Sequence, residues 1–287
     1  MSSKVTAKLP LGAAFSVLLI SLALLAGCKQ EAPVDSYAPP GYGASVGYLT
    51  DTVWKSGSDT TIRFGAEGKV TTVPSSWKKE LSVRIEIRDN SGYSRYETVQ
   101  ADFNDFTYSG RAIYGKVTKV EGRSSNYLNK GDRVMIATFD VPRTESVPIK
   151  NENGFTVTTK EYYYYYEMKV TIAGATTSTT STTTFTMENK PTSGDKFVGT
   201  YYDELGRKKI QINKEDGTFV SFYEGTQFIR YWKYQNDGTI YVKYTPFDGS
   251  PNEFSEGLTY YLYPHALMYL EHNSYEEKYT PNTVAWK

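Results

Sequence analysis

The chain is poor in the residues that most chemistry needs. Its 287 residues include one cysteine and two histidines, so no disulfide framework can form and a histidine-rich metal or catalytic centre is not available. Neither sign of charge is in surplus, with 32 Lys and Arg against 32 Asp and Glu. A protein that gripped nucleic acid by its phosphates would carry a basic excess, so nucleic acid is not an expected partner. No His-Glu-x-x-His, Cys-x-x-Cys pair or calcium-loop spacing occurs. Residues 110–116 begin like a phosphate-binding loop. However, Val117 stands where a Ser or Thr must ligate magnesium, and the segment leads into a strand pattern, so nucleotide binding is not expected. No cofactor is therefore expected. Only one apolar run is long, residues 11–25, and it is too short to span a bilayer comfortably.

What is abundant is aromatic. Phe, Trp and Tyr make up 15% of the chain and Tyr alone occurs 26 times, which excludes the disordered class. Together with the many Thr and Val, these residues favour a pleated, half-buried surface, and the expected class is all-β.

The N-terminus reads as an address. Lys4 and Lys8 precede the apolar run, and small residues lead up to Cys28, the order of a secretory signal. Leu25-Ala26-Gly27-Cys28 resembles the lipobox of bacterial lipoproteins. The resemblance implies a signal peptide over residues 1–27, cleavage before Cys28, a diacylglyceryl group on its sulfur and usually an acyl chain such as palmitate on the new amino terminus. Two or more acyl chains suffice to hold a protein on a membrane. Lys29 and Gln30 follow the cysteine where an inner-membrane retention signal would place Asp, so the resemblance points to the outer membrane. The mature chain would keep 30 basic and 32 acidic residues, too even a balance for long-range steering.

Residues 28–45 carry Pro33, Pro39, Pro40, Gly41 and Gly43, which block regular structure and predict a flexible tether. Residues 46–190 then alternate in short segments. In residues 81–88 every second side chain is apolar and charges lie between, the period of a half-buried strand. Further strands are expected over 94–100, 112–120, 133–141, 155–160 and 162–172. This spacing predicts an immunoglobulin-like β-sandwich. The stretches around Gly115-Lys116-Val117 and Gly131-Asp132-Arg133 suit a small closed barrel equally well. The Thr-rich tract 176–186 reads either as the last strand of the sandwich or as a glycosylated stalk.

Residues 191–287 repeat a pattern. Asp216-Gly217-Thr218 and Asp237-Gly238-Thr239 each sit between apolar runs, and Asp-Gly predicts a two-residue hairpin turn. The expected architecture is an antiparallel up-and-down meander or barrel. The segment Gly199-Thr200-Tyr201 resembles the first strand of small lipocalin-like barrels, with Tyr201 in place of their Trp. The resemblance covers this C-terminal third and implies the barrel shape.

Candidate site residues come from the aromatic excess. Residues 162–166 are five consecutive tyrosines, so one strand would present Tyr to both faces although only one face can be core. Tyr162, Tyr164 and Tyr166 would then form an exposed row suited to stacking on sugars or docking a protein. The alternatives are cross-strand packing or cover by the second domain. Arg230, Trp232 and Tyr234 share one strand face. Facing inward, Arg230 would be a buried cation able to anchor an anion; facing outward, Trp232 and Tyr234 would be stacking platforms. His265 and His272 read as surface residues, and a spacing of seven does not place them on one strand face. Acidic pairs such as Asp102 with Asp105, or Asp203 with Glu204, would serve glycoside hydrolysis only at a separation of a few ångströms. The expected function is a non-enzymatic binding module, lipid-anchored in the envelope, for a glycan or protein partner. The alternative is a structural accessory subunit of an envelope assembly.

Overall fold

The computed structural model describes residues 46–58, 60–88, 92–174, 181–203, 205–250, 254, 256–273 and 278–287. The expected signal peptide and tether, Cys28 included, lie outside the described residues. None of the described helices is long and apolar enough to cross a membrane.

The chain is all-β. In sequence order the strands of the first half are β1 (Val53–Ser56), β2 (Thr60–Phe64), β3 (Val70–Thr72), β4 (Leu81–Arg88), β5 (Ser94–Ser109), β6 (Ala112–Val120), β7 (Arg133–Asp140), β8 (Arg143–Lys150), β9 (Thr156–Tyr164), β10 (Glu167–Ile172) and β11 (Thr182–Met187). Nine of them form one antiparallel sheet in the order β3-β2-β1-β11-β10-β7-β6-β5-β4, while β8 and β9 pair only with each other. The layers are thus limbs of one hydrogen-bonded sheet, joined where an immunoglobulin-like module keeps two. Part of the Thr-rich tract becomes β11, which takes a central place between β1 and β10; residues 176–180 lie outside the described residues.

The sheet rolls over its own core because β5 is bent. Its register against β6 shifts at Asp102/Phe103 and again between Asn104 and Thr107, and such bulges turn a strand and raise its twist. Opposite the bend lies Gly115, where an added Cβ would meet Phe103, the Phe106 ring and Ile136 at 3.1–3.2 Å. Glycine there lets Phe106 lie on the strand. The roll brings Lys69, next to β3, into a bridge with Thr107 of β5, and Tyr108 N–H donates to the Gly68 carbonyl at 2.7 Å. Phe64 then meets both Tyr108 and Phe139, with ring centroids 4.9 and 5.4 Å away. Burying side chains of this size contributes roughly 1.5–3 kcal/mol each.

The second half is a closed barrel of β12 (Gly199–Tyr202), β13 (Lys208–Ile212), β14 (Thr218–Tyr223), β15 (Thr226–Tyr234), β16 (Ile240–Lys243), β17 (Gly257–Leu262), β18 (Ala266–Asn273) and β19 (Lys278–Trp286), neighbours in chain order. Tyr202 pairs with Trp286 to close it. Alternate residues point inward, so Tyr201, Ile210, Ile212, Phe219, Ile240, Leu262 and Leu267 fill the interior.

The two Asp-Gly-Thr copies do build equivalent hairpins, though not the two-residue turns that the dipeptide suggests. Four residues separate Asn213 from Thr218, and three separate Gln235 from Thr239, pairs joined by backbone hydrogen bonds of 2.9 and 2.8 Å. In each copy the aspartate accepts from the Thr backbone N–H and hydroxyl, at 2.6–3.0 Å. This side-chain bond favours the longer loop, with Gly217 and Gly238 taking positive φ at its end.

Sheet and barrel share a continuous core. Tyr261, Tyr263, Ala266 and Met268 lie on the outside of the barrel and are buried against the sheet. Tyr48 stacks on Tyr263 at 5.6 Å and Trp54 meets the same ring edge-on at 6.0 Å.

Candidate functional site

The five tyrosines do not lie on one strand. Tyr162, Tyr163 and Tyr164 end β9, Tyr165 and Tyr166 form a turn, and β10 then enters the large sheet. The expected exposed row therefore breaks in two. Tyr166 is 4% exposed; its hydroxyl donates to the Gly238 carbonyl at 2.7 Å and accepts from Leu262 N–H at 3.2 Å. Burial pushes its phenol well above the ordinary tyrosine value. It is a seam residue between sheet and barrel, and no ligand can stack on it. Tyr165 joins it there, its ring 5.1 Å from that of Tyr261 and its carbonyl accepting from the Tyr263 hydroxyl at 3.3 Å.

Tyr162 and Tyr164 instead belong to a two-stranded ribbon that stands off the body. Most residues of β8 and β9 are exposed, while Arg143, Glu161, Tyr163 and Tyr164 at the base are half-buried. The register sets Tyr164 opposite Arg143 and Tyr162 opposite Glu145, so both tyrosines share a face with Val147 and Ile149. Arg143 anchors the base: its guanidinium lies 3.7 Å over the Tyr164 ring and donates to Glu145 at 2.9 Å and to Glu167 of β10 at 2.8 Å. Farther out, Val147, Ile149, Phe155 and Val157 are all exposed, Phe155 at 70%. The pattern of β8 is almost devoid of buried positions, and sequence reasoning missed it because Thr, Glu, Ser and Pro give no apolar alternation.

Arg230, Trp232 and Tyr234 all point into the barrel, opposite Phe219, Val242 and Ile240 respectively, yet they do different things. Trp232 donates its indole N–H to the Asn213 carbonyl at 2.8 Å, and the Tyr234 hydroxyl approaches the Pro191 carbonyl at 3.4 Å. Both press against Gly194, where an added Cβ would meet the Trp232 ring at 3.0 Å and Tyr234 at 3.2 Å. These two side chains plug one end of the barrel and are not surface platforms.

Arg230 lies toward the other end, which is open. There a cup of about 320 Å³ is lined by Arg230, Val242, Tyr244, Glu256, Leu258 and Tyr260. The guanidinium donates to Ser221 Oγ at 2.7 Å and to the Tyr244 hydroxyl at 2.9 Å. Among the described residues no carboxylate pairs with it within 4 Å. Tyr260 is 7% exposed, and burial pushes its phenol up to about 12 although Arg230 pulls the other way. Its ring lies 4.9 Å from Phe219 and 5.8 Å from Tyr269. Gly257 at the rim is obligatory, since a Cβ would fall 2.4 Å from the Val242 carbonyl oxygen.

The other candidates are structural. His265 Nε2 lies 2.7 Å from Asp51, and the side chain of His272 lies outside the described residues. Asp102 accepts from Glu80 N–H at 2.8 Å, and Asp203 is bonded to Arg207 at 2.7 Å; Glu204 lies outside the described residues. No group of three His, Cys, Asp or Glu that could hold a metal ion occurs among the described residues. Residues 110–116 run through a turn into β6, with no helix for a phosphate loop.

Fold and site together define a class: a rolled β-sheet that shares its core with a closed eight-stranded barrel, carrying a projecting ribbon and a cationic cup. Beyond that class, the chain matches no protein-family model, no curated protein and no solved structure.

Proposed function

We propose that the protein is a bacterial envelope lipoprotein, held in the outer membrane through acylated Cys28, that acts as a non-enzymatic binding module for a glycan or protein partner. The observation that carries the binding role is the β8–β9 ribbon. An isolated two-stranded hairpin is marginal in water, and this one exposes Tyr162, Val147, Ile149, Phe155 and Val157 to solvent. Clustered exposed apolar side chains mark an interaction surface. Tyr162 and Tyr164 remain the contact residues on this arm, and Arg230 is the contact residue of the barrel cup.

The test is photo-crosslinking in cells from a benzophenone amino acid placed at position 162, with position 227 on β15 as control. A discrete adduct at 162 alone, lost when residues 144–163 are replaced by a short turn, is expected. No adduct, or equal adducts at both positions, would overturn the role of the arm. Labelled palmitate should enter the chain and fail to enter the Cys28→Ala variant. The second reading, an accessory subunit of an envelope assembly, is favoured by the same apolar ribbon. It predicts that, without crosslinking, a partner co-purifies in stoichiometric amount after detergent extraction, and protease treatment of intact cells should leave the arm protected.

A further inference from the structure

We propose that the open end of the barrel is a recognition site for a single carboxylate borne on a compact polar body, a uronic-acid sugar or a peptide C-terminus. This deepens the binding-module reading by giving the Arg230 end a ligand class, and it is independent of the ribbon.

Three observations carry it. First, Arg230 is half-buried, and its charge has no carboxylate partner among the described residues. Two of its five N–H groups are spent on Ser221 and Tyr244, which fix the guanidinium plane and leave the remaining donors for an anion. Second, Tyr260 lines the same cup and is more than nine-tenths buried, yet its hydroxyl has no hydrogen-bond partner among the described residues. A hydroxyl that faces the cup without a protein partner is available to water or a ligand, and a phenol that stays neutral can donate to a carboxylate. Third, the cup is shallow. Phe219, Tyr201, Leu262 and Leu267 are all buried and fill the barrel beneath it, so a long acyl chain finds no room.

The volume, about 320 Å³, is at the small end for ligand sites and suits one sugar ring or one terminal residue. The lining holds one arginine, hydroxyl neighbours and one carboxylate, Glu256, a balance that suits a monoanion at most; a phosphate dianion asks for a second cation or a nest of backbone N–H groups. Val242 and Leu258 offer apolar contact to the body of the ligand, and the exposed Tyr244 ring offers a stacking face.

Calorimetric titration of the full-length lipidated protein in detergent at low salt tests this, with glucuronate, acetylglycine, glucose and inorganic phosphate as probes. Saturable binding of glucuronate or acetylglycine is expected, with glucose and phosphate weaker by about tenfold or more. The tighter of the first two identifies the source of the carboxylate. Arg230→Gln should weaken binding by about tenfold or more, and Arg230→Lys should not restore it, because the bidentate fork is lost. Tyr260→Phe should weaken it severalfold while unfolding at the same denaturant concentration. Equal affinity for glucose and glucuronate, or unchanged affinity in Arg230→Gln, would overturn the proposal. Replacing residues 144–163 should leave this titration unchanged, so failure of the cup and failure of the ribbon are read separately.

Discussion

Tyr162 and Tyr166 come from the same run of tyrosines and have opposite fates. Tyr162 is 41% exposed on a free ribbon, while Tyr166 is 4% exposed and bonded to two backbone groups of the barrel. A tyrosine supplies about the same apolar area wherever it sits, so composition does not distinguish a binding surface from a seam. What distinguishes them is the partner behind the strand. β9 pairs with β8 alone, whereas the turn at Tyr165 and Tyr166 is covered by β17 and the residues after it.

The contrast can be broken by mutation. The largest effect is expected at the seam: Tyr166→Ala should cost about 3–5 kcal/mol by opening a cavity, and Tyr166→Phe about 1–3 kcal/mol by stranding the Gly238 carbonyl and Leu262 N–H. Chemical denaturation measures both. Tyr162→Ala should change stability by no more than about 0.5 kcal/mol, and a cost near that of Tyr166→Ala would mean that the ribbon is packed and not free.

A second effect is set by pH. Burial raises the phenols of Tyr166, Tyr201, Tyr260, Tyr261 and Tyr263 above the ordinary tyrosine value. The stability they contribute is full below about pH 10 and is lost as the pH climbs through each raised value, because the unfolded chain ionises first. Unfolding free energy should therefore be flat with respect to these groups to about pH 10 and fall steeply above it. Phenolate absorbance should be incomplete at the ordinary tyrosine value, because the buried seam phenols ionise only at higher pH. Titration of all tyrosines in one stage would remove the distinction.

The two equivalent turns sharpen the comparison further. Gly217 and Gly238 both hold positive φ, but a Cβ at Gly217 meets open space, while one at Gly238 falls 3.0 Å from the Pro191 carbonyl and 3.0 Å from the Tyr166 ring. Gly217→Ala should cost about 1 kcal/mol from the backbone alone, and Gly238→Ala distinctly more. Equal costs in thermal unfolding would show that the seam can yield at Tyr166. A small effect is also expected at His265→Ala, which removes an exposed pair with Asp51 worth about 1 kcal/mol or less.

Much of the fold was legible along the chain. The strands 81–88 and 112–120 were marked by alternation alone, because one side of each faces a core, and β4 and β6 have those limits. Asp-Gly-Thr marked the equivalent hairpins, since its chemistry is local, although the loop lengths followed from side-chain bonds that the dipeptide does not display. β8 carried no pattern, because a ribbon exposed on both faces imposes none. Of the site residues, Arg230 could be placed on a face but not on a side. Trp232 and Tyr234 could not be seen as a plug until the Gly194 turn was set against them. Tyr260 was missed, since nothing local marks a hydroxyl that lacks a partner.

Local periodicity and turn chemistry act over a few residues, so the sequence by itself determined the all-β class, the meander of the second half and the hairpin positions. Tertiary structure alone decided that the first half is one rolled sheet, that the tyrosine run divides between seam and ribbon, and that Arg230 meets Tyr260 at an open barrel end. Those outcomes depend on contacts between residues tens to more than a hundred positions apart, such as Tyr166 with Leu262 and Tyr48 with Tyr263, and the burial that they create is a property of the packed whole.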